Sequence, residues 1–322
     1  TDYVAFMEDL ISKGFAEKVP TDQIQGIVGK VWYLLHHGVR HPQKNKMRVV
    51  FDCSASYRGE SLNSHLLQGP NLTSTLFGVL TRFREGSVSF MGDIEAMFFQ
   101  VCVPGDDRDY LRFLWWPGGD TSQKLQEYRM TVHLFGAASS PSVCNYALRR
   151  IPDDFECTDD VTKTIRTNFY VDDCLRACDS GSDACRLVKD LTDACSQGGF
   201  HLHKFVSNNF QVLQSIPKQE LGKQMQDLCL EGGPLPVERT LGLHWFINCD
   251  EFGFSFSPKQ KPLTRRGSLS TSASIYDPLG IVAPFVLTAK LLLQELCRLG
   301  IGWDENLPVQ VKQKWEQWIL EV

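Results

Sequence analysis

The segment Asn168-Phe169-Tyr170-Val171-Asp172-Asp173-Cys174-Leu175 decides how the rest of the chain is read. Ile165, Thr167, Phe169 and Val171 are β-branched or aromatic at alternate positions, with Arg166, Asn168, Tyr170 and Asp172 between them. That alternation predicts a strand. Asp-Asp is a poor strand interior and a good turn, and Cys174-Leu175 resumes an apolar run. The segment therefore reads as a β-hairpin with carboxylates at its tip. Two adjacent like charges repel unless they share a cation, most often a divalent ion with oxygen ligands. A solvated Asp-Asp turn is the plainer alternative.

Working outward, the composition is that of ordinary globular protein: 322 residues, 43% hydrophobic and 22% charged, with a net charge of −5. The charge is uneven. Residues 30–48 hold Lys30, Arg40, Lys44, Lys46 and Arg48 and no acid; residues 252–276 hold Lys259, Lys261, Arg265 and Arg266 and again no acid. Acids gather at 93–109, 153–160 and 172–193. Basic surfaces flanking an acidic centre suit a metal-dependent enzyme holding a nucleic acid, although solvated charged faces cluster the same way by chance. The 11 cysteines include no Cys-x-x-Cys, which predicts reduced thiols and no structural zinc. His201 and His203 form a lone His-x-His and read as strand residues. No basic-then-apolar leader and no long apolar span is visible, so no membrane is expected. The start at Thr1 and the unfinished amphipathic pattern through Val322 read as an excerpt of a longer polypeptide.

The elements follow in order. Residues 3–13 are predicted helical, with Phe6, Met7, Leu10 and Ile11 on one face and Gly14 as the stop. Strands at 31–39 and 48–53 form a hairpin around a turn at 41–46. A helix over 73–83 would turn Leu76, Phe77, Leu80 and Phe83 inward. Val88-Ser89-Phe90-Met91 is a strand entering Gly92-Asp93, followed by the apolar run 94–101. An acid between such runs is costly unless partnered or bound to metal. Strands at 109–116 and 125–131, a helix from Pro141 to Arg149, a helix capped by Ser182, a strand over 200–205 and a hairpin of 239–249 with 253–256 through Asp250-Glu251 follow. After Pro258 the composition turns basic, then helical. The pattern is α+β, with an antiparallel sheet covered by helices.

Nucleotidyl transfer from a triphosphate needs two divalent ions that stabilise the attacking and leaving oxygens. Asp93 and Asp172 supply that clamp if their strands are neighbours, and a cation such as Arg48 would meet the triphosphate.

Here the chain resembles reverse transcriptases. Tyr170-Val171-Asp172-Asp173 is similar to their Tyr-x-Asp-Asp box, and Asp93 through Phe98-Phe99 to their first catalytic motif. Gly136 with Ser140-Pro141 resembles the Gly-x-x-x-Ser-Pro motif, residues 199–204 the Gly turn and lysine, and Leu241-Gly242 with Trp245 the primer grip. Arg48-Val49-Val50-Phe51-Asp52 resembles the fingers strand. The finer pattern resembles the Pao/BEL group of LTR retrotransposons: Phe51-Asp52-Cys53-Ser54-Ala55, Phe135-Gly136-Ala137 and Ser274-Ile275-Tyr276-Asp277-Pro278-Leu279-Gly280.

The resemblance implies a right-hand polymerase acting as an RNA-directed DNA polymerase. Fingers and palm would fill 1–256, with fingers mainly in 1–85 and about 105–135. The start of a thumb or connection, truncated, would fill 257–322. It implies two Mg2+ ions, or Mn2+, on Asp93 and Asp172 with Asp173 in support. Phe98 would exclude a ribose 2′-hydroxyl. Arg48, Gly136, Ser140, Pro141 and Tyr170 would form the nucleotide and template pocket. Lys204 would protonate pyrophosphate, and Leu241, Gly242 and Trp245 would hold the primer. Either Lys44 or Lys46 would be the second fingers lysine. Phe135 departs from retroviral enzymes, which commonly carry Gln before the motif glycine. The implied partners are an RNA or DNA template with primer and deoxynucleoside triphosphates. The implied setting is a cytoplasmic virus-like particle, with protease, RNase H and integrase elsewhere in the Pol polyprotein. Two other readings are a nucleic-acid-binding remnant without catalysis and an RNA-templated RNA polymerase. The intact acids argue against the first; Tyr-Val-Asp-Asp, where such enzymes usually carry Gly-Asp-Asp, argues against the second.

Overall fold

The computed structural model describes residues 2–40, 47–226, 236–254 and 261–321. The expected turn at 41–46 with Lys44 and Lys46, Lys259, and the expected boundary at 256/257 lie outside the described residues. The chain forms two compact units. Residues 1–74, 92–174 and 185–203 make the first; residues 75–91, 175–184 and 204–322 make the second.

In the first unit a helix, Asp2–Ser12, buries Met7 and Leu10 and ends at Gly14, whose φ of +72° suits a residue without a Cβ. Strands β1 (Ala16–Lys18), β5 (Arg112–Trp115) and β6 (Gln126–Met130) form an antiparallel sheet in the order β1-β6-β5. Strands β2 (Leu35–Arg40) and β3 (Met47–Asp52) pair antiparallel, with Val39 opposite Arg48. Met7, Leu10, Phe51, Phe113 and Met130 share one core.

Arg112 is wholly buried there. A buried guanidinium is tolerated only when its donors and its charge are both met. Its Nε and Nη2 engage both oxygens of Asp109 at 3.0 and 2.9 Å. Its Nη1 reaches Glu127 at 3.1 Å and the Ile24 carbonyl at 2.8 Å, and Nη2 donates to the Gln23 carbonyl at 2.7 Å. Arg129 shares Asp109 at 2.9 Å and adds Glu17 at 2.8 Å. Burial pushes the Asp109 carboxyl up, but Arg112 and Arg129 outweigh it and hold the group below the usual range.

Strands β4 (Val88–Ile94), β7 (Phe169–Tyr170), β8 (Asp173–Cys178) and β9 (Leu202–Ser207) form a sheet in the order β7-β8-β4-β9, which places β4 between the acid-bearing hairpin and β9. In the second unit β10 (Val237–Thr240), β11 (Leu243–Phe246) and β12 (Glu251–Gly253) make an antiparallel meander. Helices Arg265–Ser272, Ala283–Arg298 and Val309–Glu321 follow, and Leu292, Leu296, Trp315 and Trp318 form a separate core.

Several local expectations change. The start of the alternating run, residues 165–167, closes a helix, Asp159–Thr167, capped by the Thr158 hydroxyl; Val161, Thr164 and Ile165 are buried at helical spacing. Acids in its first turn suit the helix dipole, and only Phe169 and Tyr170 remain as strand. The helix Gly181–Gln197 is capped by Ser180, not Ser182: the Ser180 hydroxyl accepts from the Asp183 amide at 3.1 Å. Phe77 is exposed, and Val79 takes its inward place. The strand expected over 239–249 breaks at Leu241-Gly242, which turns β10 into β11. Both residues have positive φ, +48° and +90°, as a two-residue type I′ turn requires.

Asp109→Asn is expected to lower the unfolding free energy by about 3 kcal/mol at neutral pH, because it strips a buried guanidinium of one counter-charge. The folded carboxyl titrates below its unfolded value, so its contribution is complete above about pH 4 and fades as pH falls through the lower folded value. Urea unfolding at pH 7 and pH 3 checks this: the gap between wild type and variant should narrow in acid.

Candidate active site

The hairpin β7–β8 has a two-residue loop, Val171-Asp172, closed by the pairs Tyr170 with Asp173 and Phe169 with Cys174. Val171 has φ +58°. Both turn types that suit such a loop need a positive φ at its first residue. A β-branched side chain makes that conformation strained, by about 1–2 kcal/mol. The strain sets Asp172 at the tip and Asp173 at the start of the return strand.

The tip is tied to the end of β4. The Ile94 amide donates to the Asp172 backbone carbonyl at 2.9 Å. Asp93, the preceding residue, is thereby brought beside the hairpin. On its other flank, His203 of β9 reaches the Asp93 Oδ2 with its Nε2 at 3.1 Å; the pair is largely buried. An ionised carboxylate only accepts, so the imidazole N–H is the donor. One step along, the Glu95 amide donates to the His201 carbonyl at 2.9 Å, and His201 Nδ1 meets Glu95 Oε2 at 2.9 Å. The hydrogen bond from His201 holds the Glu95 carboxyl below the usual range. The His-x-His, read as plain strand residues, thus faces an acid-x-acid across a register. The clue in the sequence was that matched spacing.

Beyond Asp93, Ala96 takes φ +46° and opens a helical turn, Met97–Gln100, in which Phe98 is buried. Gly136 has φ +102°, and a Cβ there would lie 3.3 Å from the Phe51 carbonyl oxygen of β3. Asn63 pins this loop: its Nδ2 donates to the Gly136 carbonyl at 2.9 Å and its Oδ1 accepts from the Ala138 amide at 2.8 Å. Sequence reasoning missed Asn63, since a lone Asn in a loop carries no pattern. Ser140 is fully buried and meets His133 Nδ1 at 3.4 Å; burial lowers the His133 pKa. Pro141 opens the helix Ser140–Asp154 and lines a cleft of about 340 Å3 with Ala138, Ser142 and residues 68–73. Arg48 is exposed on β3, and Tyr170 is half-buried on β7.

The remaining predicted residues lie in the second unit. Lys204 is exposed on β9 with φ +53°. Leu241 and Gly242 are the β10–β11 turn. Trp245 does not share that exposure: it is wholly buried, donates to Asp250 Oδ1 at 2.8 Å and meets Phe83 edge-on at 4.8 Å. A buried indole backs the β10–β11 turn through this hydrogen bond and ring contact. Gly242 is covered by Tyr276, whose ring would lie 2.5 Å from a Cβ at that position. Asp277 next door accepts from the Ile281 and Val282 amides at 3.0 and 2.8 Å.

Asp93 and Asp172 offer hard oxygen donors on neighbouring backbone segments, with Asp173 one residue on. Among the described residues no group of three or more His, Cys, Asp or Glu stands at metal-binding spacing. The carboxylate oxygens of Asp93 and Asp172 are donors of the kind magnesium takes, with water and substrate phosphate filling the rest of its shell.

Comparison with known proteins gives the fold a counterpart. The foamy viral protease-reverse transcriptase in complex with dsDNA matches over 98% of this chain and 55% of its own, at TM-score 0.61 and 15% identity. The foamy viral protease-reverse transcriptase dRH in complex with dsDNA matches over 97% and 46% at TM-score 0.59 and 14% identity. The foamy viral protease-reverse transcriptase in complex with an RNA/DNA hybrid matches over 98% and 35% at TM-score 0.57 and 13% identity. The chain thus spans about half or less of these relatives' length. Its mixed α+β fold is that of their reverse transcriptase polymerase region over nearly the whole chain. Residues 264–322 match a family model described as the Pao retrotransposon-like RNaseH-like domain. That description differs from the expected thumb or connection start; among its described residues this segment holds three helices and one isolated bridge, Thr264 with Asn306. No curated protein matches the chain. Among the described residues no helix is long and apolar enough to cross a membrane.

Gly242→Ala is expected to cost about 2 kcal/mol, from a positive φ and a clash with Tyr276. Thermal unfolding of Gly242→Ala, Tyr276→Ala and the double variant checks it: removing the Tyr276 ring should relieve part of the Gly242→Ala loss, a non-additive result for contacting residues.

Proposed function

We propose that this chain is the polymerase part of a Pao/BEL-type retroelement reverse transcriptase, which extends a primer on an RNA or DNA template with deoxynucleotides. The observation that carries the reading is the Ile94–Asp172 backbone bond, which sets Asp93 beside Asp172 at the end of a sheet in a polymerase fold. Supporting it are the ordered motifs along the sequence, the Pao retrotransposon-like match at 264–322 and the likeness to foamy viral enzymes whose structures hold dsDNA or an RNA/DNA hybrid.

In this reading Asp93 and Asp172 would hold two magnesium ions, with Asp173 in support. Bound there, the ions would stabilise charge on the attacking and leaving oxygens of the transfer. His203 keeps one oxygen of Asp93 engaged and so fixes the rotation of that carboxylate. Arg48, exposed on its hairpin, would contact the triphosphate. Gly136 and Pro141 would shape the nucleotide and template surface, with Ser140 buried as a support. Tyr170 would stand beside the nucleotide. Phe98 would stand under the sugar and exclude a 2′-hydroxyl by bulk. Lys204 would donate the proton to pyrophosphate, and Leu241, Gly242 and Trp245 would hold the primer, the first two at the turn and the buried Trp245 as its support. Residues 1–256 would be fingers and palm. The helices after 257 would begin the thumb or connection, as one stretch of a longer Pol polyprotein with protease, RNase H and integrase elsewhere. The particle of the element, in the cytoplasm, would be its setting.

Primer extension on an RNA template with magnesium and deoxynucleotides tests the assignment, in this chain and in a longer form with its natural flanks. Asp172→Asn is expected to reduce extension at least about a hundredfold, about 2.7 kcal/mol of transition-state stabilisation. Full activity in that variant would remove Asp172 from the metal site. A folded, nucleic-acid-binding protein without extension in the longer form would favour a non-catalytic remnant.

A further inference from the structure

Phe135 stands before the motif glycine and is 51% exposed. A single exposed apolar side chain is ordinary on a protein surface. This one is not loosely placed. Its neighbours Leu134 and Ala137 are buried, and Asn63 holds the backbone on both sides of Ala137. Its ring centroid lies 4.5 Å from that of Phe98, tilted at 44°, and 5.7 Å from that of Phe99, edge-on at 87°. Phe99 in turn lies 5.4 Å from Phe15. Phe98 itself is only 9% exposed. Two consecutive aromatic residues of one helical turn thus both rest on Phe135, at distances typical of favourable ring pairs.

We infer that Phe135 is the second wall of the sugar gate, a positioning residue that fixes the Phe98 ring and thereby sets deoxynucleotide over ribonucleotide selection. This rests on the reading of Phe98 given above. A phenyl ring has no hydrogen-bonding group of its own. A 2′-hydroxyl pressed against the Phe98 ring so held would lose water and gain no partner, which penalises the ribose without any polar contact from the protein. The penalty requires that Phe98 cannot turn aside. Phe135 packs against one side of that ring, with centroids 4.5 Å apart.

The test is the ratio of kcat/KM for ribonucleotide and deoxynucleotide in single-nucleotide extension. It is measured for wild type, Phe98→Ala, Phe135→Ala, Phe135→Leu and the Phe98→Ala/Phe135→Ala double variant. A loss of active enzyme through poor folding cancels in this ratio. Phe135→Ala is expected to raise relative ribonucleotide use roughly tenfold, Phe135→Leu less, and the double variant no more than Phe98→Ala alone, because the two rings act as one device. If Phe98→Ala relaxes selection while both Phe135 variants keep the wild-type ratio, the inference is overturned and the gate reading stands. If Phe98→Ala leaves the ratio unchanged, the gate reading fails and the inference with it.

Discussion

One backbone hydrogen bond, from the Ile94 amide to the Asp172 carbonyl, brings two separate acids of the chain together. Without it Asp93 is a carboxylate at the end of an apolar strand, and Asp172 is one residue of a surface turn. The bond uses no side chain, so the register it sets does not depend on the groups it delivers. The central position of β4 does the rest. One edge of the strand receives the acidic tip, and the other receives β9, whose His203 binds Asp93 at 3.1 Å. Acid on one side and imidazole on the other give Asp93 an asymmetric setting. Repulsion from the tip is offset by a hydrogen-bond donor that also limits how the carboxylate can rotate.

Backbone strain marks the same place. Val171 and Ala96 both take left-handed φ, +58° and +46°, and each lies within three residues of an acid of the pair. Neither is the Gly or Asn that such conformations favour. At Val171 the strain is met by the hairpin pairs on either side and by the Ile94 bond. At Ala96 it lets the chain leave the strand abruptly and place Phe98 in a tight turn rather than along the sheet. A glycine at either place would remove the strain and widen the range of conformations. A β-branched side chain at the tip keeps Asp172 within a narrow one. Strain held by surrounding structure is a common property of functional sites, and here the holding bonds can be named.

The hairpin tip, the β2–β3 pair, the helix stop at Gly14 and the strand into Asp93 were legible in the sequence because each rests on local chemistry: turn residues, alternation, a Cβ-free cap. Residues 165–167 were misread as strand because Ile165, Thr167 and Phe169 fit a period of two while Val161, Thr164 and Ile165 also fit a helix, and only tertiary burial chose between them. The Leu241-Gly242 turn was hidden because Leu in a left-handed conformation carries no turn signal. Asn63, His201 and His203 were illegible for another reason. Their roles come from partners 73, 106 and 110 residues away in the chain, and no window on the sequence joins them.

The segment 274–280 shows how a motif can carry architecture rather than chemistry. Tyr276 lies over Gly242 so closely that a methyl group there would meet its ring. Asp277 takes the Ile281 and Val282 amides ahead of the helix Ala283–Arg298, which starts with no capping side chain of its own. One residue thus clamps the β10–β11 turn, and the next fixes the start of a helix. Composition shifts after Pro258, and a domain boundary was expected there. Tyr276 on Gly242 joins a residue beyond that shift to the β10–β11 turn before it. A change in composition therefore marks where the kind of element changes, from sheet to helices. A turn that must hold its place needs a backing, and in this chain the backing comes from the segment whose sequence resembles the retroelement family.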